Sequence, residues 1–433
     1  IYHSGILFGD GREGGDRGWY VLKESKTLSD RMTIEGSVNL IICDGVEYNV
    51  GAKDAPPFPQ YAGIVLEAGN SLTIWGQEKG TGKLVAVGGV DCAGIGLSQG
   101  TKVLRAGDLT INGGMVLATG NGEAAGIGGN GGGTAGTEYG SGGEVTINGG
   151  RVTATPGSGS LYHGAGIGGS GHGQGGTVYI HGGTLVAKGA VDSGQYTFGW
   201  GIGWGERADL DAPDGKKLTL TIDGGSVRAT LPRGFDVGRQ CVTVKCGDMS
   251  GPLKIEGIDG YGSNDIYPDS GDKVYLWLPK GYHKFKLSNG TNGHLYEVDV
   301  KDAPTTAAPV DVKFWVNNTD VGKCSGDGWT YGLDNVLTIN KSGTFDISGS
   351  FGNNAPQVNV AASDATVVLN GVYLGANNRP ALVVQNGVSA TLRAKSNTTS
   401  TLSATGGSSA MRVDGTLTVD LAGDADRDTS KIN

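Results

Sequence analysis

The chain of 433 residues contains 82 glycines and only 18% charged residues, and its formal net charge is −9. This acidic balance argues against binding nucleic acid or an anionic membrane through overall charge, and no apolar run reaches the roughly 18 residues of a membrane-spanning helix. Glycine lies far above its usual share of about 7% but lacks the strict triplet of collagen, so a collagen-like fold is excluded.

The amino-terminal residues lead into the first strands. They lack the basic segment followed by an apolar segment that marks a secretion signal. We therefore expect that a signal has been removed or that the sequence begins within a longer chain. AGIV at Ala62–Val65, LTIWGQ at Leu72–Gln77 and KLVAV at Lys83–Val87 then form the first, degenerate copy of a three-part repeat.

A near-identical phrase recurs along the rest of the first half. It reads LTINGG at Leu109–Gly114, VTINGG at Val145–Gly150, VYIHGG at Val178–Gly183 and LTIDGG at Leu220–Gly225. A second alternating run follows each phrase, and AGIG or WGIG precedes it. A constant strand text with insertions of variable length is typical of stacked coils. The unit is three short strands, repeated about five times.

Alternation within each phrase separates two faces. Leu109 and Ile111 lie on one side of the strand, and Thr110 and Asn112 lie on the other. The aliphatic side can be buried only against the coils above and below, since one coil has no core of its own. Glycine pairs supply the positive φ angles of sharp corners. The sequence therefore predicts an all-β protein in which residues 1–230 form a glycine-rich right-handed parallel β-helix.

Two further domains are predicted beyond this helix. Residues 231–305 lose the glycine-rich inserts and read as a small antiparallel β-sandwich. Its predicted strands include Cys241–Cys246, Lys273–Pro279 and Tyr282–Leu287. A linker rich in proline and small residues ends this domain. Short strands then return, so residues 306–433 are predicted to be a second, shorter-coil β-helix that continues in the natural protein.

Motifs for bound cofactors are weak. The glycine run Ala125–Gly133 superficially resembles a phosphate loop, but neither a helix nor a βαβ unit surrounds it. The five cysteines are scattered, without zinc spacing, and are expected to be free thiols. Asp424, Asp426 and Asp428 alternate but lack the glycine and glutamate of a calcium loop. The residues themselves predict neither a metal nor a cofactor.

Two segments carry a resemblance to known proteins. Gly18–Val87, with MTIEGSVNLIICDG and GTGKLVAV, resembles large repeat-containing cell-surface proteins of Gram-positive gut bacteria that are often described as carbohydrate-binding. Ile347–Leu374 resembles β-helical modules of that group for which polysaccharide binding and bound calcium have been proposed. The resemblance implies a pectate-lyase-like right-handed β-helix, a surface location and calcium as a candidate ligand. Its motifs are structural, so no catalytic residue carries over.

Acidic residues cluster in the longest insertion of the first helix, and an aromatic run lies just before it. Glycosidases use two carboxylates about 5 to 9.5 Å apart, and the candidate catalytic residues here are Glu206, Asp209, Asp211 and Asp214. Aromatic rings can stack on the apolar faces of sugars, and the candidate ligand-binding residues are Tyr196, Trp200 and Trp204. Alternatively, Trp200 and Trp204 share an inward face and plug the end of the helix.

Three functions fit this sequence. The favoured one is a non-catalytic extracellular binding or adhesion module on the cell surface, recognising a glycan or a protein of a host or neighbouring cell. The alternatives are a glycoside hydrolase or lyase with its site on a β-helix face, and a structural spacer. No nucleophile–base pair or paired-carboxylate motif is evident, which disfavours the enzyme. We expect a monomer that binds no nucleic acid and does not insert into membranes.

Overall fold

The computed structural model describes residues 6–9, 18–51, 60–132, 139–159, 162–189, 191–192, 196–197, 200–206, 217–232, 236–261, 265–350, 356–420 and 431–432. These residues form strands, turns and one short 3₁₀ helix, Val321–Lys323. The chain divides into two compact units, one of residues 1–244, 259–280 and 300–305 and the other of residues 245–258, 281–299 and 306–433. No helix in the described part of the chain is long and apolar enough to cross a membrane.

Short strands make up both units. Up to residue 229 they are β1 (Ile6–Gly9), β2 (Trp19–Leu22), β3 (Lys26–Leu28), β4 (Met32–Glu35), β5 (Ser37–Ile42), β6 (Glu47–Val50), β7 (Ile64–Val65), β8 (Ser71–Gly76), β9 (Lys83–Val87), β10 (Ile95–Gly96), β11 (Asp108–Ile111), β12 (Met115–Thr119), β13 (Ile127–Gly128), β14 (Glu144–Ile147), β15 (Arg151–Thr155), β16 (Ile167–Gly168), β17 (Gly176–Ile180), β18 (Thr184–Ala187), β19 (Val191–Asp192), β20 (Tyr196–Thr197), β21 (Ile202–Gly203), β22 (Leu218–Ile222) and β23 (Ser226–Ala229). Beyond it they are β24 (Gln240–Lys245), β25 (Lys254–Glu256), β26 (Lys273–Leu278), β27 (Gly281–Ser288), β28 (Gly293–Val300), β29 (Thr305–Ala307), β30 (Phe314–Val316), β31 (Thr319–Asp320), β32 (Ser325–Gly326), β33 (Trp329–Tyr331), β34 (Val336–Ile339), β35 (Gly343–Ser350), β36 (Gln357–Val360), β37 (Ala365–Asn377), β38 (Leu382–Val384), β39 (Ser389–Ala394), β40 (Thr399–Thr405), β41 (Met411–Val413), β42 (Thr416–Asp420) and β43 (Lys431–Ile432).

The first unit is built on three parallel sheets of seven strands each. Their orders are β1-β4-β7-β10-β13-β16-β21 for the first sheet, β2-β5-β8-β11-β14-β17-β22 for the second and β23-β18-β15-β12-β9-β6-β3 for the third. Each coil thus gives one strand to every sheet. The predicted all-β fold class, with its right-handed parallel β-helix, is confirmed.

Aliphatic columns form the core of this helix. The isoleucines that end the repeated phrases stack in register from coil to coil, and all are at most 2% exposed. They are Ile74, Ile111, Ile147, Ile180 and Ile222. The alternating threonines of the same strands are half-buried and face outward. The period-two pattern read from the sequence therefore assigns the inner and outer faces correctly.

The AGIG corners need glycine for two reasons. Gly96, Gly128 and Gly168 have φ angles of +139°, +131° and +135°, which side chains with a Cβ rarely adopt. A Cβ on any of them would also overlap the carbonyl oxygen of the matching glycine in the next coil. The corner glycines thus permit adjacent coils to approach at backbone distance, and this explains why the AGIG text repeats.

Residues 259–280 close the last coil of the first unit. Trp277 on β26 is 8% exposed and belongs to the same core as Val227 on β23. Its Nε1 donates to Val227 O at 3.0 Å. Tyr261 Oη accepts from Trp277 N at 2.9 Å and donates to Trp277 O at 3.0 Å. A segment assigned from sequence to the sandwich therefore packs on the end of the β-helix.

Trp200 and Trp204 differ from the expected plug. Both are half-buried, and neither is among the core side chains of the first unit. Strand β21 contains only Ile202 and Gly203, so strand alternation does not extend to the two tryptophans. The inward assignment of their rings was therefore wrong, and the indole that enters the core at this end is Trp277.

The second unit combines antiparallel strands with parallel coils. β25, β27 and β28 form one sheet, and the core continues through two larger sheets ordered β31-β30-β35-β37-β39-β42 and β32-β33-β34-β36-β38-β41. In these two sheets, β34, β35 and the later strands pair with one another in parallel, whereas the strands before β34 pair antiparallel. Phe314, Ile347 and Leu369 lie in its core. Residues 231–305 contribute to both units, and the three predicted domain boundaries stay a prediction.

Candidate functional site

The outer face of the second sheet of the first unit carries an ordered column of side chains. In coil order the column contains Trp19, Asn39, Thr73, Thr110 and Thr146. Neighbouring strands of a sheet lie about 4.8 Å apart. Polar groups on this face therefore repeat at a spacing close to the length of one sugar residue in an extended chain.

Two indoles stand on this face, at the amino-terminal end of the helix. Trp19 is 43% exposed and Trp75 is 37% exposed. Their ring centroids are 6.0 Å apart with an interplanar angle of 29°. Trp75 Nε1 donates to Asn39 Oδ1 at 3.2 Å, and Val21 beside them is 44% exposed. We call Trp19, Val21, Asn39 and Trp75 the indole face.

The indole face suits a ligand with both apolar and polar sides. An exposed pair of stacked aromatic rings forms a contiguous apolar surface, a feature that is common at interaction sites. Indoles offer a wide apolar surface together with a polar N–H group, and the hydrogen bond to Asn39 fixes the Trp75 ring before any ligand arrives. A flat, partly hydroxylated molecule could stack there at a small cost in side-chain entropy.

A second column beside the first extends this polar surface. Asn148 Nδ2 donates a hydrogen bond of 2.8 Å to Asn112 Oδ1 in the adjacent coil. His181 occupies the equivalent position of the next phrase, and its ring stacks near Tyr179 at 6.1 Å. His181 Nδ1 lies 2.6 Å from Asp223 Oδ1. Amide, imidazole and carboxylate groups therefore line the same side of the β-helix, in the coils that follow the indole face.

Sequence reasoning missed the indole face as a site. The signal was present, because WYVL and LTIWGQ place tryptophan at outward positions of strands whose equivalents hold asparagine or threonine. What the sequence did not show is that Trp19 and Trp75, on β2 and β8, meet across Asn39 on β5.

The predicted site residues are only partly described. Asp209, Asp211 and Asp214 lie outside the described residues, so the paired-carboxylate interpretation stays a prediction. Tyr196 lies on β20, which pairs antiparallel with β19. Glu206 Oε2 accepts a hydrogen bond from His163 Nδ1 at 2.9 Å.

A polar cluster surrounds the corner near Glu206. His163 is 7% exposed. In an earlier coil, Glu123 N donates to Asp91 Oδ1 at 3.1 Å. Glu123 Oε2 is shielded from solvent and has no hydrogen-bond partner among the residues described. Burial, and then the negative charge of Asp91, raise the pKa of Glu123, while His163 and the Tyr162 amide oppose the rise. This shielded oxygen of Glu123 cannot reach a substrate, whereas the catalytic role considered for Glu206 stays a prediction.

Glu123→Gln is expected to raise the melting temperature by a few degrees at pH 7 and to change it little at pH 4. Because the folded-state pKa lies above the unfolded value near 4.5, the carboxyl group costs stability only as the pH rises through the folded pKa. Glutamine keeps the shape without the charge. Thermal unfolding of both proteins at the two pH values tests this, and an equal shift at both would contradict it.

The second unit has a mixed polar and aromatic face of its own. Trp315 on β30 is partly exposed and in register with Ser348 on β35, which is in register with Asn370 on β37. Asn370 Nδ2 donates to Asp346 Oδ1 at 3.0 Å, and Lys395 Nζ lies 2.8 Å from Asp346 Oδ2. One indole therefore shares an outer sheet face with amide, carboxylate and ammonium groups.

Metal ligands and reactive thiols are scarce in the described part of the chain. No group of three or more His, Cys, Asp or Glu residues there is positioned to hold a metal ion. All five cysteines are free. Burial raises the pKa of Cys92 to about 12 and the pKa values of Cys241 and Cys324 to about 11. These three thiols are therefore protonated at neutral pH and poorly nucleophilic.

Comparison with known proteins agrees with the fold and points to a ligand class. Residues 109–137 and 145–171 match a family of β-helix repeats. Residues 333–422 match a family described as carbohydrate-binding domain-containing protein. No curated protein and no solved structure matches the chain. The matches support the β-helical fold, and they give residues 333–422 similarity to carbohydrate-binding domains.

Proposed function

We propose that this protein is a non-catalytic extracellular binding module that recognises glycans at a cell surface. Its principal contact is the indole face of the first unit. The observation that carries the proposal is the pair of exposed indoles, Trp19 and Trp75, whose ring centroids are 6.0 Å apart on a polar sheet face.

Three features support a glycan as the ligand. Sugar rings present apolar C–H faces to an indole and hydroxyl groups to the asparagine and threonine columns beside it. The repeat of polar groups along the coil axis suits an extended oligosaccharide. The match of residues 333–422 to carbohydrate-binding domains lies in the other unit, where Asp346, Asn370 and Trp315 offer a second surface of similar chemistry.

A glycan array probed with the whole chain, with and without calcium, tests this function. A reducing-end assay on the same polysaccharides runs beside it. We expect saturable binding without released product. Product release would replace the binding module with an enzyme and make the 206–214 insertion the first region to mutate. Absence of binding to every glycan would instead favour a protein partner or a spacer.

A further inference from the structure

A cleft of about 400 Å³ lies at the end of the third sheet, away from the indole face. It is formed by the last residues of β18 and β23 and those that follow them. The lining residues are Val186, Ala187, Lys188, Gly189, Arg228, Ala229 and Thr230. The cleft thus has an aliphatic part next to two cationic side chains, in a chain whose formal net charge is −9.

Strand register places the two cations on neighbouring strands. Arg228 is level with Val186, and Lys188 lies two residues further along the same face. With a strand spacing of about 4.8 Å and a rise of about 3.3 Å per residue, their Cα atoms are roughly 8 Å apart. A single anionic group can therefore approach both side chains at once.

The contacts of Arg228 orient it without covering it. Arg228 Nη1 lies 3.5 Å from Asp269 Oδ2, and the guanidinium group is 5.5 Å from the centre of the Tyr275 ring. The Arg228 side chain is nevertheless 60% exposed. Lys188 is exposed and has no ion-pair partner within the described ranges. One cation is thus held in place, and the other is available to a ligand.

We propose that this cleft binds an anionic substituent of a glycan, a carboxylate or a sulfate ester. This inference rests on the proposed glycan-binding function and adds a charged subsite to it. Arg228 and Lys188 contact the anionic oxygens, since arginine presents a planar fork of donors to such groups. Val186, which shares the outer face with Arg228, packs against the C–H groups of the sugar ring. Because both cations are solvent-accessible, the preference weakens as salt concentration rises.

The test compares matched pairs of oligosaccharides by calorimetry. The carboxylate arm uses a hyaluronan hexasaccharide and its carboxyl-reduced form, and the sulfate arm uses 6-sulfated and unsulfated N-acetyllactosamine. We expect the wild-type chain to prefer the anionic member of at least one pair. Arg228→Gln and Lys188→Gln should each weaken that binding about tenfold, as expected for losing one charge-assisted hydrogen bond, and leave the neutral member unaffected.

Two controls make the outcomes separable. Arg105→Gln removes the same charge from an exposed arginine of the first unit outside the cleft, and should change nothing. Lys188→Gln guards against a folding defect, because Arg228 also contacts Asp269. If neutral and anionic members bind equally, or the preference survives both cleft variants, the cleft proposal is overturned while glycan binding stands. If neither member of either pair binds, this inference is overturned, and the glycan array decides the proposed function separately.

Discussion

Replacement of Trp75 by alanine is expected to weaken glycan binding roughly thirtyfold, because a tryptophan at the centre of an interface often contributes about 2 kcal/mol. Its indole is 37% exposed, stacks on Trp19 and is held by Asn39. The ring lies on the outer face of the sheet and is not part of the core of the first unit, so folding should suffer little. Calorimetry with the strongest ligand from the array measures the change.

Two variants sharpen this result. Trp75→Phe keeps an aromatic face but loses the hydrogen bond to Asn39, so we expect an intermediate affinity. Tyr282→Ala removes a ring that is 64% exposed in the second unit and should leave binding unchanged. If Trp75→Ala binds the glycan with unaltered affinity and Trp315→Ala loses binding, the principal glycan site lies in the second unit.

Trp277→Ala is expected to lower the free energy of unfolding of the first unit by about 3–5 kcal/mol, the usual range for removing a large buried aromatic ring. The indole is 8% exposed and lies in the same core as Val227. Coils of a repeat fold depend on their neighbours, so the loss should be greatest in the last coil. Urea unfolding, with hydrogen exchange read separately on β22 and β23, measures both effects.

Trp277→Phe separates packing from hydrogen bonding at the same position. It keeps an aromatic ring but removes the Nε1 donor to Val227 O, and one hydrogen bond typically contributes about 1 kcal/mol. We expect the free energy of unfolding of Trp277→Phe to lie between that of the wild type and that of Trp277→Ala. If Trp277→Ala is no less stable than Trp204→Ala, whose ring is half-buried, then Trp277 does not close the helix.

The site was harder to infer than the fold. Trp200 and Trp204 lie close together in the sequence, beside acidic residues, and this local pattern predicted a ligand site. The strand between them contains only two residues, Ile202 and Gly203, and that limits any argument from alternation. Trp19 and Trp75 lie in different coils, and nothing local in either segment indicates that their rings meet.

The repeated coil, its inner isoleucine column and its glycine corners could all be predicted from the sequence. Each depends on local alternation and on backbone angles that only glycine adopts readily, and each recurs in several copies. The stacking of Trp19 and Trp75 across Asn39, and the closure of the last coil by Trp277, are visible only in the folded chain. Those contacts join residues from separate coils or segments, and register and chain path, rather than local preference, bring them together.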